Sequence, residues 1–459
     1  MTPERNTILV AVLLGLLAST ASAGRADITY NVNTIADLID SDTDDGACLT
    51  SAGTCSLRAA VMQANQLSGP GTVRIVLPAG TYTLTRPISG ANGETNGDLN
   101  LTAPNSASQF VAIEGTNPAS TIIDGNELDG VMTIDPGRNV MISTVTIRNG
   151  RRLGTRSGGG ILNTGSLLLV DSVISDNFTS NGGGGIYSDN LLYVVRSTIA
   201  SNVAQRNGGG IHSSGFLEVY DSTVRANLAR QNFGQGGGFY LGGPATIRRS
   251  SFFLNAANNG AGILAAGQLT LVNSTLSFKR ADTNGGGIYN FSNTFLYSTS
   301  VIGNVADHDD DGVGTGGGVY TDATAGHRLV AANTLVASNT IRNLQIFSDC
   351  AGTLEVYGFN RLSNLSGCVF TGNGPGAVGL VSRDTIDGID ANGGPTWTNA
   401  LLPGSEAIDS TTAQGCVDET GAQLATDQRG AARVAGLRCD VGAFEFASVI
   451  DRIFHNGFD

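Results

Sequence analysis

A glycine-rich run followed by one aliphatic or aromatic residue recurs seven times in this chain, at Ile161, Ile186, Ile211, Phe239, Ile263, Ile288 and Val319. The steps between copies are 25, 25, 28, 24, 25 and 31 residues. A second landmark keeps the same period: an apolar-x-apolar pair, a small hydroxyl residue, an apolar residue and then Asn, as in "LLLVDSVISDN", "LYVVRSTIASN" and "LEVYDSTVRAN". Its asparagines are Asn177, Asn202, Asn227, Asn255 and Asn304, with Lys279 in the Asn place in one copy. Self-similarity at a fixed period means stacked units that bury their apolar faces on one another. Each unit alternates with period two and has no helical spacing, which excludes ankyrin, TPR and HEAT arrays. A propeller blade needs ~40 to 45 residues, so the unit is too short for one. A parallel β-solenoid, one coil per unit at a rise of ~4.8 Å, fits.

The first apolar residue of each unit should point inward, together with Leu192, Val194, Ile174, Ile199, Val224, Phe252, Leu276 and Val301. Glycine reaches positive φ and lets backbones approach closely, which a sharp corner repeated in register requires. Asn tolerates the left-handed region and can hydrogen-bond its neighbours, so the Asn column reads as a corner and an amide ladder.

Composition agrees with this class: 64 of 459 residues are Gly and only 14% are charged. The net charge of −13 argues against a nucleic-acid partner, which would require an excess of Lys and Arg. Met1 to Ala23 carries Arg5, an apolar run from Ile8 to Ala18 and Ala21-Ser22-Ala23, the pattern of a signal peptide. That run is too short for a membrane span, and no later segment is long and apolar enough for one. Export and an even cysteine count favour disulfides, paired in sequence order as Cys48 with Cys55, Cys350 with Cys368 and Cys416 with Cys439. No CxxC spacing supports a zinc site.

"GTCSLRAAVMQANQ" (Gly53 to Gln66) resembles the CSLREA segment near the start of bacterial secreted right-handed parallel β-helix proteins. "NGGPTWTNALLPGSEAIDS", from Asn392, and "TDQRGAARVAGLRCDVGAFEF" resemble the choice-of-anchor Q domain that ends such chains. Ala59-Ala60 stands where that segment usually carries Glu. The resemblance implies an all-β fold: a single-stranded, right-handed, pectate-lyase-like parallel β-helix. It also implies secretion, and most members of the group have no established activity.

The expected organisation is a signal peptide at 1–23, an N-terminal cap region at 24–70, β-helix coils at 71–345, a disulfide-stabilised C-terminal cap at 346–446 and a sorting-like tail at 447–459. Ser56 to Leu67 reads as an amphipathic capping helix behind an N-cap serine, and Thr72 to Ile88 as the first coil.

Residues next to the inward column must face out: Leu162, Tyr187, His212, Tyr240, Leu264, Tyr289 and Tyr320. Tyr187, His212, Tyr240, Tyr289 and Tyr320 are candidates for stacking on sugar rings; the alternative is a ladder of cross-strand aromatics that only stabilises the sheet. Asp171, Arg196, Asp221, Arg249 and Asn273 form a second outward column, read as a self-satisfying charge ladder or, alternatively, a polyanion contact. Asp307, Asp309 and Asp311 before Gly312 have the spacing that aims alternate carboxylates at calcium, although Gly318 stands where an EF-hand needs Glu. Asp40 to Gly46 is a weaker echo. Asp427, Arg429, Arg433, Asp440 and Glu445 read as a buried ion-pair knot. No catalytic set emerges. The expectation is a secreted or surface β-helix that binds polysaccharide or another surface without turnover; the alternative is a polyuronate lyase or glycoside hydrolase.

Overall fold

The computed structural model describes residues 27–67, 71–88, 93–103, 109–230, 233–322, 326–342 and 346–446. The expected signal peptide and the tail 447–459 lie outside them. The chain is a right-handed parallel β-helix, nearly all β. One coil defines four faces: Ile186–Ser188 on face 1, Leu191–Val195 on face 2, Thr198–Ala200 on face 3 and Val203–Ala204 on face 4. Strands pair in parallel with their equivalents in the neighbouring coils, so faces 3 and 4 become sheets of twelve and nine strands, the last strand of face 4, Ile346–Phe347, joining antiparallel. Faces 1 and 2 merge into one sheet of 22 strands, because Cys350–Tyr357 runs through both without a break.

The register is the sequence period. Ile161, Ile186, Ile211, Phe239, Ile263, Ile288 and Val319 pair one above the next, and all are fully buried. So are Ile174, Ile199, Val224, Phe252, Leu276 and Val301 on face 3. Truncating any one to Ala would cost ~2 to 5 kcal/mol, since the stacked neighbours cannot collapse into the gap.

Two corner types follow from sterics. Gly183 sits at φ 72°, and a Cβ on the following Gly184 would lie 2.3 Å from the carbonyl oxygen of Gly209 in the next coil. Only glycine fits that approach. At the corner between faces 3 and 4 the left-handed residue is not Asn but the residue before it: Asp176, Ser201, Ala226, Leu254 and Phe278 have φ between 51° and 58°. The asparagine is thereby turned inward, where its side chain does other work.

That work is the amide ladder. Asn177 Nδ2 donates to Asn202 Oδ1 at 2.9 Å, Asn202 to Asn227 at 3.0 Å and Asn227 to Asn255 at 3.0 Å. Each Oδ1 also accepts the backbone N–H of the Asn one coil earlier, and each Nδ2 also donates to a backbone carbonyl, so the buried amides are satisfied. Lys279 interrupts the column. The ladder resumes from Asn304 to Asn339 and from Asn339 to Asp349, both at 2.9 Å.

The helix α1 (Leu57–Gln66) covers the first coils, with the Ser56 side chain accepting from Ala59 N at 3.0 Å. Its polar side is enclosed as well: Arg58 pairs with Asp37, Gln63 donates to Asp40 and Asn65 donates to Glu94. Ile28–Asn31 pairs below Gly71–Val76 and forms the first rung, ahead of the coil read from Thr72.

Past residue 345 the coils continue: Cys350–Tyr357, Cys368–Gly372, Asn360–Leu362 and Val378–Leu380 extend faces 1, 2 and 3. Residues 382–446 then fold back along the outside of face 3 rather than over the end. Phe253 stacks on Trp397 at 4.9 Å, Thr275 bonds Gln428, and Ile302, Leu335 and Ala337 share a core with Leu401, Val441 and Phe444. Disulfides join Cys48–Cys55, Cys350–Cys368 and Cys416–Cys439, the pattern of an oxidising compartment. Among the described residues no helix is long and apolar enough to cross a membrane.

Candidate functional site

Face 1 carries the aromatic column. Tyr187, His212, Tyr240, Leu264, Tyr289 and Tyr320 pair in register on its outer side. The rings are half-buried and lie on one another: Tyr187–His212 at 4.9 Å, His212–Tyr240 at 4.6 Å and Tyr289–Tyr320 at 4.9 Å, tilted by 40–45°. Leu264 splits them into two runs. Burial pushes His212 down to about 4, against the carbonyl of Asn207, so the imidazole is neutral at ordinary pH. Tyr289 is pushed up to about 12 by burial first and then by the charge of Asp322, which accepts from its hydroxyl at 3.2 Å. Much of the ring surface is therefore spent on neighbouring rings.

The second outward column closes on itself. Arg196 grips Asp171 through two hydrogen bonds of 2.8 and 2.6 Å, and Arg249 grips Asp221 at 2.8 and 3.2 Å. Asn273 donates to the carbonyl of Thr426 at 2.7 Å and helps seat the returning C-terminal segment.

Asp307, Asp309 and Asp311 each offer an oxygen, and the three lie within 4.8 Å of one another. Asp307 is buried and the other two are exposed. Asp307 also accepts from Gly312 N at 3.1 Å and pairs with Arg342 at 3.2 Å. The donor set suits a hard cation, and Arg342 competes with it. Nearby Asp282 is raised by burial first and then by Asp309. In the Asp40 to Gly46 turn, oxygens of Asp40, Asp42 and Asp45 converge on the Gln63 side-chain amide, so the protein closes that turn itself.

In the C-terminal segment Arg429 pairs with Asp427 at 2.6 Å and Arg433 lies 3.7 Å from Glu445, all buried or nearly so. Burial, then the charge of Asp440, pushes Glu445 up to about 8. Asp440 is pushed up to about 6, again mainly by burial. These groups tie irregular backbone together: Asp440 accepts from the backbone N–H groups of Asp409 and Phe446.

A concavity lies elsewhere, on the outer side of face 2. Alternation there puts Glu218, Thr246, Thr270, Phe295, Val330 and Glu355 in one column and Tyr220, Arg248, Val272, Tyr297, Ala332 and Tyr357 in the next. Residues 412–421 of the returning segment rise beside them and wall a cleft of about 440 Å³, lined by Phe295, Tyr297, Arg328, Tyr357, Asp418 and Glu419 among others. Asn333 Nδ2 holds the carbonyl of Gly415 at 2.9 Å, and the Cys416–Cys439 disulfide braces the wall. Across the rim, Arg248 pairs with Glu419.

Hydrogen bonds hold Glu355 and Asp418 below the usual carboxylate range. Arg328 donates to both oxygens of Glu355 at 2.7 and 2.8 Å, and Tyr357 donates to the same carboxylate. Those bonds, Arg328 first, keep Glu355 below the usual carboxylate range and raise Arg328 in turn. Burial of Asp418 works in the other direction, but hydrogen bonds from Thr420 and Ala422 hold it low. Tyr297 is raised by burial and then by Glu419 and Asp418. An acid catalyst needs a raised carboxyl, and neither Glu355 nor Asp418 is raised; Glu355 is engaged by Arg328 and Tyr357, while the bonds to the Asp418 carboxylate all fall on Oδ1.

Sequence reasoning missed this cleft. "NTFLYS" carries the alternation that exposes Phe295 and Tyr297, but nothing local marks residues 412–421 as their wall. Glu218 accepts from the hydroxyl of Tyr220 at 2.8 Å on the same face.

No protein-family model matches the sequence, and no curated protein does. Among solved structures the chain is similar to the pectate lyase Pel9A, with a TM-score of 0.45 and 14% identity over 93% of this chain and 98% of that one. It is also similar to AlyGC, an alginate lyase of family PL6, with a TM-score of 0.31 and 10% identity over 82% of this chain and 55% of that one.

Proposed function

We propose that this protein is a secreted or surface-held β-helix that binds polysaccharide in the face 2 cleft without turning it over. The observation that carries the reading is the cleft itself: three aromatic side chains, Phe295, Tyr297 and Tyr357, beside polar groups already fixed by hydrogen bonds. Sugars present apolar ring faces and a girdle of hydroxyls, and a concave site of this composition suits them. No carboxyl of the cleft is raised to serve as an acid, and Glu355 is engaged by Arg328 and Tyr357, which favours binding over hydrolysis.

The face 1 rings, Tyr187, His212, Tyr240, Tyr289 and Tyr320, belong to the proposal as an accessory surface. Kinship with the CSLREA and choice-of-anchor Q group is part of it too, supported by the position of Arg58 in the capping helix, where it bonds Asp37 and three backbone carbonyls. We include calcium at Asp307, Asp309 and Asp311 as a brace for the 306–316 loop.

The test is an assay of the purified chain against neutral glycans and polyuronates, with and without calcium. Retention without new reducing ends or unsaturated products is the expected result. Product formation would replace this reading with a lyase or glycoside hydrolase.

A further inference from the structure

The charges at the face 2 cleft narrow the class of glycan, an inference that rests on the polysaccharide-binding reading above. We infer that the cleft takes an uncharged glycan and discriminates against polyuronates.

A polyuronate carries one carboxylate on every sugar, and each needs a cation or an unengaged donor. Among the described residues the cleft has Arg328 in its lining and Arg248 at its rim. Arg328 gives Nε and Nη2 to Glu355, and Arg248 gives Nη2 to Glu419, so each guanidinium charge is already matched by a carboxylate. Asp418 adds a third carboxylate, so three acids face two arginines. A uronate entering here would share an arginine that is already paired and would meet excess negative charge.

The field has a visible effect on a neighbour. Tyr297, in the middle of the aromatic lining, has its phenol raised by burial and then by Glu419 and Asp418, so the loop charges reach the floor where a sugar would stack. The face 1 column adds no positive charge, because His212 is neutral above about 4. An uncharged sugar meets none of these costs. It can lay a ring face on Tyr297 or Tyr357 and offer hydroxyls to Asp418 and Glu419, both carboxylates in the lining.

The experiment is calorimetric titration of the full chain with cellohexaose, xylohexaose and mannohexaose, and with hexagalacturonate and hexamannuronate, at low and high salt and with or without calcium. At least one neutral hexamer should bind with an affinity that salt leaves unchanged. The uronates should bind at least about tenfold more weakly at low salt, with a gap that narrows as salt screens the loop charges. Asp418→Asn with Glu419→Gln should reduce the ratio of neutral to uronate affinity by about fivefold. A uronate that binds as tightly as the neutral hexamers, or does so once calcium is added, and that is lost in Tyr297→Ala overturns the inference and leaves polysaccharide binding standing. If no hexamer of either class binds a chain whose circular dichroism is native, both readings fail.

Discussion

Lys279 Nζ donates to Asn304 Oδ1 at 3.3 Å inside the core, in the place where every neighbouring coil has a carboxamide. The amine is fully buried, and burial drives its pKa well below the ordinary lysine value. The lysine side chain has no carboxamide oxygen to receive Asn255 Nδ2, whose bond goes to the Val224 carbonyl instead.

Lys279→Asn should therefore restore the ladder between Asn255 and Asn304 and stabilise the fold by ~1 to 2 kcal/mol. Urea unfolding at neutral pH checks it. A folded-state lysine pKa below the unfolded one makes stability rise with pH toward the ordinary value near ~10.4, and that slope should be absent from the variant. A variant no more stable than the parent would mean that the lysine stem packs as well as the amide bonds.

Asn227→Ala should show the opposite. It takes from the Asn202 N–H the acceptor, and from the Ile199 carbonyl the donor, that Asn227 now supplies, and leaves Asn202 Nδ2 only the Ile174 carbonyl. The expected loss is ~2 to 4 kcal/mol, a buried donor and acceptor together, read from the same unfolding curves.

Glu445 and Asp440 predict an alkaline weakness. Both are raised on folding, to about 8 and about 6, so the folded chain binds protons that the unfolded chain has lost. Their contribution is fully present below the ordinary carboxylate range of ~4 and is lost as pH rises through 6 and then 8. Melting temperature should fall between pH 5 and pH 9, and Glu445→Gln should flatten that fall. An unchanged slope in the variant would locate the sensitivity elsewhere.

Much of this architecture is legible in the one-dimensional pattern, for a physical reason: in a solenoid the contact partner lies one period away, so period and register are the same quantity. The Ile161 to Val319 column and the Asn column translate directly into stacked contacts. The left-handed corner was displaced by one residue, since Asn is the residue type that tolerates positive φ, yet Ser201 and Ala226 take that strain so that Asn202 and Asn227 can point inward. The cleft was not legible because its two walls, Tyr297 and Glu419, are far apart in sequence and belong to different units. Packing of residues 382–446 on face 3 is tertiary information, foreshadowed only by outward apolar residues such as Phe253 and Ile302.

Calcium is tested through the loop that would hold it. Added calcium should raise the melting temperature of the parent by a few degrees, about 1 to 3 kcal/mol at saturating concentration, and Asp309→Asn with Asp311→Asn should abolish the shift. No shift in the parent removes calcium from the proposal.

Glycan contact separates the two aromatic surfaces. Tyr297→Ala and Tyr357→Ala should each weaken retention of a bound glycan about tenfold, while Tyr187→Ala should chiefly cost stability, ~0.5 to 1.5 kcal/mol from the lost ring contact with His212. Affinity electrophoresis paired with thermal melts distinguishes them. If Tyr187→Ala also abolishes retention, the face 1 column is the primary site.

The amide ladder has a direction. The Nδ2 groups of Asn177, Asn202, Asn227, Asn304 and Asn339 each donate toward the C-terminal end, and the last acceptor is the Asp349 carboxylate, whose second oxygen takes the N–H groups of Ser363 and Asn364. Both oxygens of Asp349 are taken up as acceptors, so it passes no hydrogen on and works as a full stop for the ladder. A duplicated coil spliced inside the column would carry an Asn that receives from below and gives above, whereas the rungs of faces 1, 2 and 3 beyond Asp349 stack without this ladder.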